Sequence, residues 1–133
     1  IGIQNQPTTL NNNIIKTSNI QNLEDSYAFT SGLYFEDKIF RTSFDKIIKN
    51  TKYHRFGGDC YMYGMLASGL IDIVIEDTLK VHDYMALIPV IEGAGGVITD
   101  KYNQEINLKS DGSLIATANS KLHNKVFEVL KID

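Results

Sequence analysis

Three acidic residues and a pair of glycines are the residues here whose type and spacing could do chemistry. They fall in the segment from Gly57 to Asp100, GGDCYMYGMLASGLIDIVIEDTLKVHDYMALIPVIEGAGGVITD. Gly57-Gly58 stands before an apolar run of helical character, where backbone N–H groups without a side chain in the way can face an anion or a hydroxyl. The β-branched stretch Asp72-Ile73-Val74-Ile75-Glu76 ends in a carboxylate, and ligands of open α/β sheets gather beyond the carboxyl ends of strands. Asp83 follows seven residues later at a predicted helix start. Two carboxylates so placed could hold a hard cation such as Mg²⁺, which prefers oxygen ligands.

Each residue also has a purely local reading. Asp59 and Asp83 are good helix caps, Gly57-Gly58 is a good strand-to-helix turn, and a strand-terminal Glu76 is ordinarily solvated. His54 and His82 lack metal-ligand spacing to each other, and Cys60 on an apolar helix reads as a small hydrophobe. Tyr61 and Tyr63 read as core or interface aromatics. Taken by themselves, these residues define a domain edge able to bind either an anion or a cation.

The elements that must position them follow from hydrophobic period. Strands are predicted over 1–5, 14–17, 26–30, 53–56, 72–76, 97–99 and 114–117, with a turn at Asn11-Asn12-Asn13. Helices are predicted over 36–49, from Asp59 to about Ser68, from Asp83 through Ile91 with a kink at Pro89, and from a Ser120 cap along the stripe Leu122, Val126, Val129 and Leu130. Alternating strands and helices point to an α/β domain, a layered α/β sandwich with a mixed sheet of about five strands and helices on both faces. Residues 1–22 are Asn- and Thr-rich and are expected to be poorly anchored beside a missing N-terminal domain, leaving 23–133 as the α/β domain proper.

Composition narrows the function classes. The chain has 133 residues and a formal net charge of -3, which argues against a nucleic-acid or anionic-membrane partner. It has a single cysteine, so a reducing, cytoplasmic home is expected. No apolar run approaches the length of a membrane span.

The run His82-Asp83, Ala86, Val90-Ile91 and Gly93-Ala94-Gly95-Gly96 resembles the C-terminal signature of the inositol monophosphatase family. There a Trp-Asp, small residues, an Ile-Val pair and a closing Gly-Gly supply a metal-binding Asp. His82 replaces the Trp, and Gly93 stands where many members carry Glu. Gly57-Gly58-Asp59-Cys60-Tyr61 and Ala86–Gly93 are similar to the histidinol-phosphatase branch. The resemblance is good over residues 53–130 and loose over 1–50.

The resemblance implies the C-terminal half of a Mg²⁺-dependent phosphomonoesterase acting on a small alcohol phosphate, such as histidinol phosphate or an inositol phosphate-like ester, through a metal-activated water. Asp83 would ligate a metal and touch a substrate hydroxyl. Glu76 and Asp59 would read the organic part of the substrate, with Gly57, Gly58 and Arg55 as further contacts. The family's Glu-Glu pair and Asp-Pro-Ile/Leu-Asp-Gly-Thr loop are absent from these residues. The chain alone is therefore expected to be inactive, to need the N-terminal half of the same enzyme, and to form a homodimer when complete. A hairpin is also expected to be missing after Gln6-Pro7. The competing reading is a non-catalytic remnant or split-gene fragment that acts only as a folding or interaction module.

Overall fold

The structure is a computed structural model and describes residues 1–130; residues 131–133, part of the expected 23–133 domain, lie outside the described residues. Its centre is a five-stranded mixed sheet with the order β4-β3-β5-β7-β6. The strands are β3 (Tyr27–Thr30), β4 (Tyr53–Phe56), β5 (Ile73–Glu76), β6 (Val97–Thr99) and β7 (Leu114–Thr117). β3, β4 and β5 run parallel, whereas β7 pairs antiparallel with both β5 and β6. A small separate hairpin, β1 (Thr9–Leu10) with β2 (Asn13–Ile14), precedes the sheet.

The parallel order dictates where the helices go. The chain crosses from β3 to β4 through α1 (Lys38–Lys49), then back over β3 to β5 through α2 (Cys60–Ala67). Crossovers between parallel strands are right-handed, so moving in opposite directions along the sheet sends the two helices to opposite faces. The apolar pattern of β5 records this. Ile73 and Ile75 pack with Phe40, Phe44 and Ile47 of α1 and with Leu122, Val126 and Leu130 of α5 (Ser120–Leu130). Val74 points the other way, into a cluster with Met62, Tyr63 and Leu66 of α2 and Ile91 of α4 (Ile88–Gly93). Burying each such side chain contributes about 1.5–3 kcal/mol, and a strand buried on both faces is accordingly apolar at every position but its last.

Several local expectations are amended. The helix expected from Asp83 through Ile91 is two helices, α3 (Val81–Tyr84) and α4. Pro89 sits at the start of α4, where its missing N–H costs nothing, so it opens a helix and does not kink one. The α5 cap is Asn119, whose Oδ1 accepts from Leu122 N–H at 3.0 Å, and Ser120 is the first helical residue. No strand forms over 1–5, and the second expected strand is confined to Asn13–Ile14.

The segment 1–22 is also tied down more firmly than its composition suggests. Thr8 is buried, donates from Oγ1 to Val90 O at 2.8 Å, and its N–H reaches Gly93 O at 3.0 Å. Thr17 Oγ1 donates to Ala118 O at 2.6 Å. These hydrogen bonds brace α4 and the β7–α5 junction, while Ile1, Ile3, Leu10 and Ile14 remain exposed.

His123 on α5 is buried, with Nδ1 at 3.0 Å from Thr117 Oγ1 and Nε2 at 3.0 Å from Thr99 Oγ1. Burial disfavours the imidazolium and lowers its pKa to about 4. Between about pH 6.5 and 4 the unfolded chain therefore binds a proton at this residue that the folded chain refuses, so stability falls with pH across that window. Glu76, whose pKa is raised, contributes with the opposite sign, so a difference between variants isolates the histidine. Urea midpoints measured from pH 7 to 4 should fall less steeply in His123→Gln than in the unmodified protein. Parallel curves would contradict the assignment.

Candidate functional site

The carboxyl ends of the three parallel strands all point to one edge of the sheet, and because α1 and α2 leave on opposite faces, the loops there part and leave a crevice. β3 and the loop after it contribute Thr30, Ser31 and Gly32; the turn after β4 contributes Asp59 and the start of α2 contributes Cys60; β5 and its loop contribute Glu76, Asp77, Thr78 and Leu79. Tyr63 from α2 and Asp83 from α3 also line this cleft of about 370 Å³. Four of the lining side chains are carboxylates, and among the described residues that line it there is no Lys, Arg or His. The arrangement favours a cationic or hydroxyl-rich ligand and offers nothing to neutralise a bare phosphate.

Glu76 is the chemical centre of the cleft. It is 4% exposed. Its period on β5 puts it on the same face as Val74, toward α2, where the Tyr63 hydroxyl donates to Oε2 at 2.7 Å. Ser31 N–H, just beyond β3, donates to Oε1 at 3.3 Å. Burial raises the Glu76 carboxyl above its ordinary value, the Ser31 and Tyr63 hydrogen bonds pull it back, and nearby Asp59 raises it further. Tyr63 is pushed well above the ordinary phenol range, first by burial and then by the adjacent Glu76 charge.

The rest of the cleft wall is held by a closed chain of contacts. Asp77 Oδ2 accepts from Glu36 N–H at 3.0 Å, next to Asp37, the α1 cap that accepts from Ile39 and Phe40. Asp37 pairs with buried Lys101 at 3.0 Å, and Lys101 pairs with Asp111 at 3.2 Å. Gly112 carbonyl then accepts from Leu79 N–H at 3.0 Å, two residues from Asp77. A Cβ on Gly112 would lie 2.2 Å from Leu79 O, and its φ of +89° favours glycine, so this contact specifies the residue. Burial opposes the Lys101 charge, but bonds to the two carboxylates outweigh it and hold the ammonium above its usual range. Within the enclosed loop Thr78 has φ of +66°, a costly geometry for a β-branched side chain that the surrounding contacts impose.

The six residues expected at a site are therefore divided. Glu76, Asp59 and Asp83 meet in the cleft. Gly57, Gly58 and Arg55 do not line it. Gly57 N–H is not free, because it extends the β3–β4 ladder by donating to Thr30 O at 2.9 Å. Gly58 makes the turn, with φ of +131°. Arg55 projects from the exposed edge strand β4. Asp59 has φ of +44° and makes no side-chain cap to α2, which leaves its carboxylate exposed and available. Asp83 lies in the first turn of α3, where Oδ2 accepts from Lys80 N–H at 2.8 Å. Tyr63, Ser31 and Asp77 are the additions. A tyrosine four residues after Asp59 on the helix facing β5 was the available signal for the first of them.

Among the described residues no group of three or more His, Cys, Asp or Glu side chains is arranged to hold a metal ion. Asp83 has a hard oxygen to offer, but these residues alone do not complete a Mg²⁺ site. Among the described residues, too, no helix is long and apolar enough to cross a membrane.

A sequence model described as the inositol monophosphatase family matches residues 1–132. The chain is 34% identical to the bifunctional phosphatase IMPL2, chloroplastic, of Arabidopsis thaliana, over 98% of this chain and 40% of that protein. It is 26% identical to a histidinol-phosphatase of Chlorobaculum parvum, over 77% of this chain and 39% of that protein. An inositol monophosphatase structure from Zymomonas mobilis superposes with a TM-score of 0.94 at 34% identity, covering 98% of this chain and 52% of that one. The chain thus spans about half, or less, of the length of these relatives.

The Lys101 bridge gives a stability prediction. Lys101→Met leaves Asp37 and Asp111 facing each other's surroundings without their cation and should destabilise the protein by about 2 kcal/mol, less than a fully buried pair because both carboxylates are partly solvated. Lys125→Met, which removes the exposed pair with Glu128, should cost under about 0.5 kcal/mol in the same denaturation assay. Equal losses would mean that the ring is not a clamp.

Proposed function

The chain belongs to the inositol monophosphatase family, and we propose that it is the substrate-reading, C-terminal half of a metal-dependent phosphomonoesterase for small alcohol phosphates. The observation that carries this is the meeting of Asp59, Glu76 and Asp83 in one cleft beyond the parallel strand ends, with Glu76 buried and furnished with donors. Folding alone does not call for a carboxylate at 4% exposure, and burying one is costly unless it is paired.

In this reading the cleft holds the organic part of the ester. Glu76 and Asp59 accept hydrogen bonds from its hydroxyl or ammonium groups, and Asp83 offers one carboxylate oxygen to a metal and to the hydroxyl nearest it. Mg²⁺, when bound, would supply an activated water and charge neutralisation for phosphoryl transfer. Its other ligands and the phosphate cradle must come from residues outside this chain, in an N-terminal half carrying the family's acidic motifs. The acidic cleft favours an amine-bearing ester, the class named by the histidinol-phosphatase relative, over an uncharged polyol phosphate. The competing reading is a non-catalytic remnant or split-gene fragment that acts only as a folding or interaction module. Activity of the complete protein separates the two.

Two substitutions in the protein expressed from its complete gene test the roles. Asp83→Asn should leave the fold intact and lower the rate of phosphate release by a hundredfold or more, because a charged group is lost where transition-state charge develops. Asp59→Ala should weaken histidinol phosphate more than inositol phosphate, since a charge-assisted hydrogen bond is worth about 1.5–3 kcal/mol. Equal losses on both substrates would make Asp59 a turn residue only. An unchanged rate in Asp83→Asn would remove the metal role.

A further inference from the structure

We propose that Tyr63 is a positioning residue of this cleft: its hydroxyl fixes the plane of the Glu76 carboxylate so that the remaining lone pairs of Glu76 face the ligand. This rests on the reading of the cleft as a substrate-binding site, but it concerns a residue that reading does not require.

The argument is geometric. Tyr63 is 1% exposed, its ring set among Met62, Leu66 and Val74, so the hydroxyl has little freedom. A lone glutamate carboxylate turns easily about its last torsion, which is broad and two-fold. Here the donors come from different elements, Tyr63 on α2 to Oε2 and Ser31 beyond β3 to Oε1. The Tyr63 bond, at 2.7 Å, is shorter than the Ser31 backbone bond at 3.3 Å, and the Ser31 side chain also steadies the carboxylate from the β3 side, so Tyr63 is the donor that holds it from the α2 side. A carboxylate has about four lone-pair sites, so these donors do not exhaust it and it can still accept from a ligand. Asp59 and Asp83, the acidic neighbours of the pair, bring carboxylate oxygens and no N–H or hydroxyl group to replace the phenol. A phenylalanine at position 63 would fill the same core space and leave Glu76 held from the Ser31 side alone, with its plane no longer fixed.

The test uses the protein from its complete gene. Tyr63→Phe should raise KM for histidinol phosphate about tenfold with kcat within twofold, and weaken histidinol binding by calorimetry to the same degree. In a Glu76→Gln background the same change should have less than a twofold effect, because the group being positioned is already altered. A fold defect would instead lower kcat as well and persist in that background. Unchanged KM, or equal losses in both backgrounds, would overturn the proposal, as would absence of histidinol binding to the unmodified protein. Absence of phosphate release with Tyr63-dependent histidinol binding intact would sink the phosphatase reading and leave this inference standing.

Discussion

Placing a carboxylate inside an apolar sheet edge is the constraint around which this domain is organised. Glu76 ends a strand whose other residues are buried among hydrophobic side chains on both faces, and water is excluded from most of its surface. Such a group must find donors or give up its charge. The donors can be supplied only if α2 packs Tyr63 onto the face that Glu76 shares with Val74, and only if β3 runs parallel beside β5 so that Ser31 emerges level with the carboxylate. Sheet order, crossover direction and helix placement are therefore coupled to one side chain.

The same geometry opens the cleft. Loops leaving parallel strands toward opposite faces cannot cover the strand ends, and the residues that fill this gap here are acidic. Their mutual repulsion has to be borne by the scaffold. The ring from Asp77 through α1, Lys101, Asp111 and Gly112 back to Leu79 fixes the loop that precedes Asp83, with Thr78 held in an unfavourable backbone region inside it. Thr8 braces α4, the helix that follows Leu87 of the cleft lining, by donating to the backbone carbonyls of Pro89 and Val90. The β5 side of the cleft is thus fixed by hydrogen bonds at Glu76, Asp77 and Leu79, whereas the Asp59 carboxylate stays exposed and uncapped.

Much of this was legible in the residue pattern, and the gaps have physical causes. Periodicity located α1, α2, α5 and the five sheet strands, because those elements bury one face or both and their apolar spacing records it. It merged α3 with α4, since an apolar stretch containing a proline reads alike whether Pro89 kinks a helix or opens one; the hydrogen bonds from Thr8 to the α4 carbonyls are tertiary facts. Glu76, Asp59 and Asp83 were identifiable as candidates by position. That the Gly57 N–H is already paired could not be read locally, because whether an N–H is free depends on the neighbouring strand, here Thr30. Tyr63 read as a core aromatic, and its ring is one; its hydroxyl acquires meaning only from a carboxylate thirteen residues away on another element. The Lys101 ring joins four separate segments and has no local signature at all.

A crystal structure of the protein expressed from its complete gene, with histidinol phosphate bound under non-hydrolysing conditions, tests the central claim most directly. The account predicts the amine within hydrogen-bonding distance of Asp59 or Glu76, and the phosphate held near Asp83 by groups outside residues 1–133. A phosphate seated among Asp59, Glu76 and Asp77, with the amine in solvent, would contradict it.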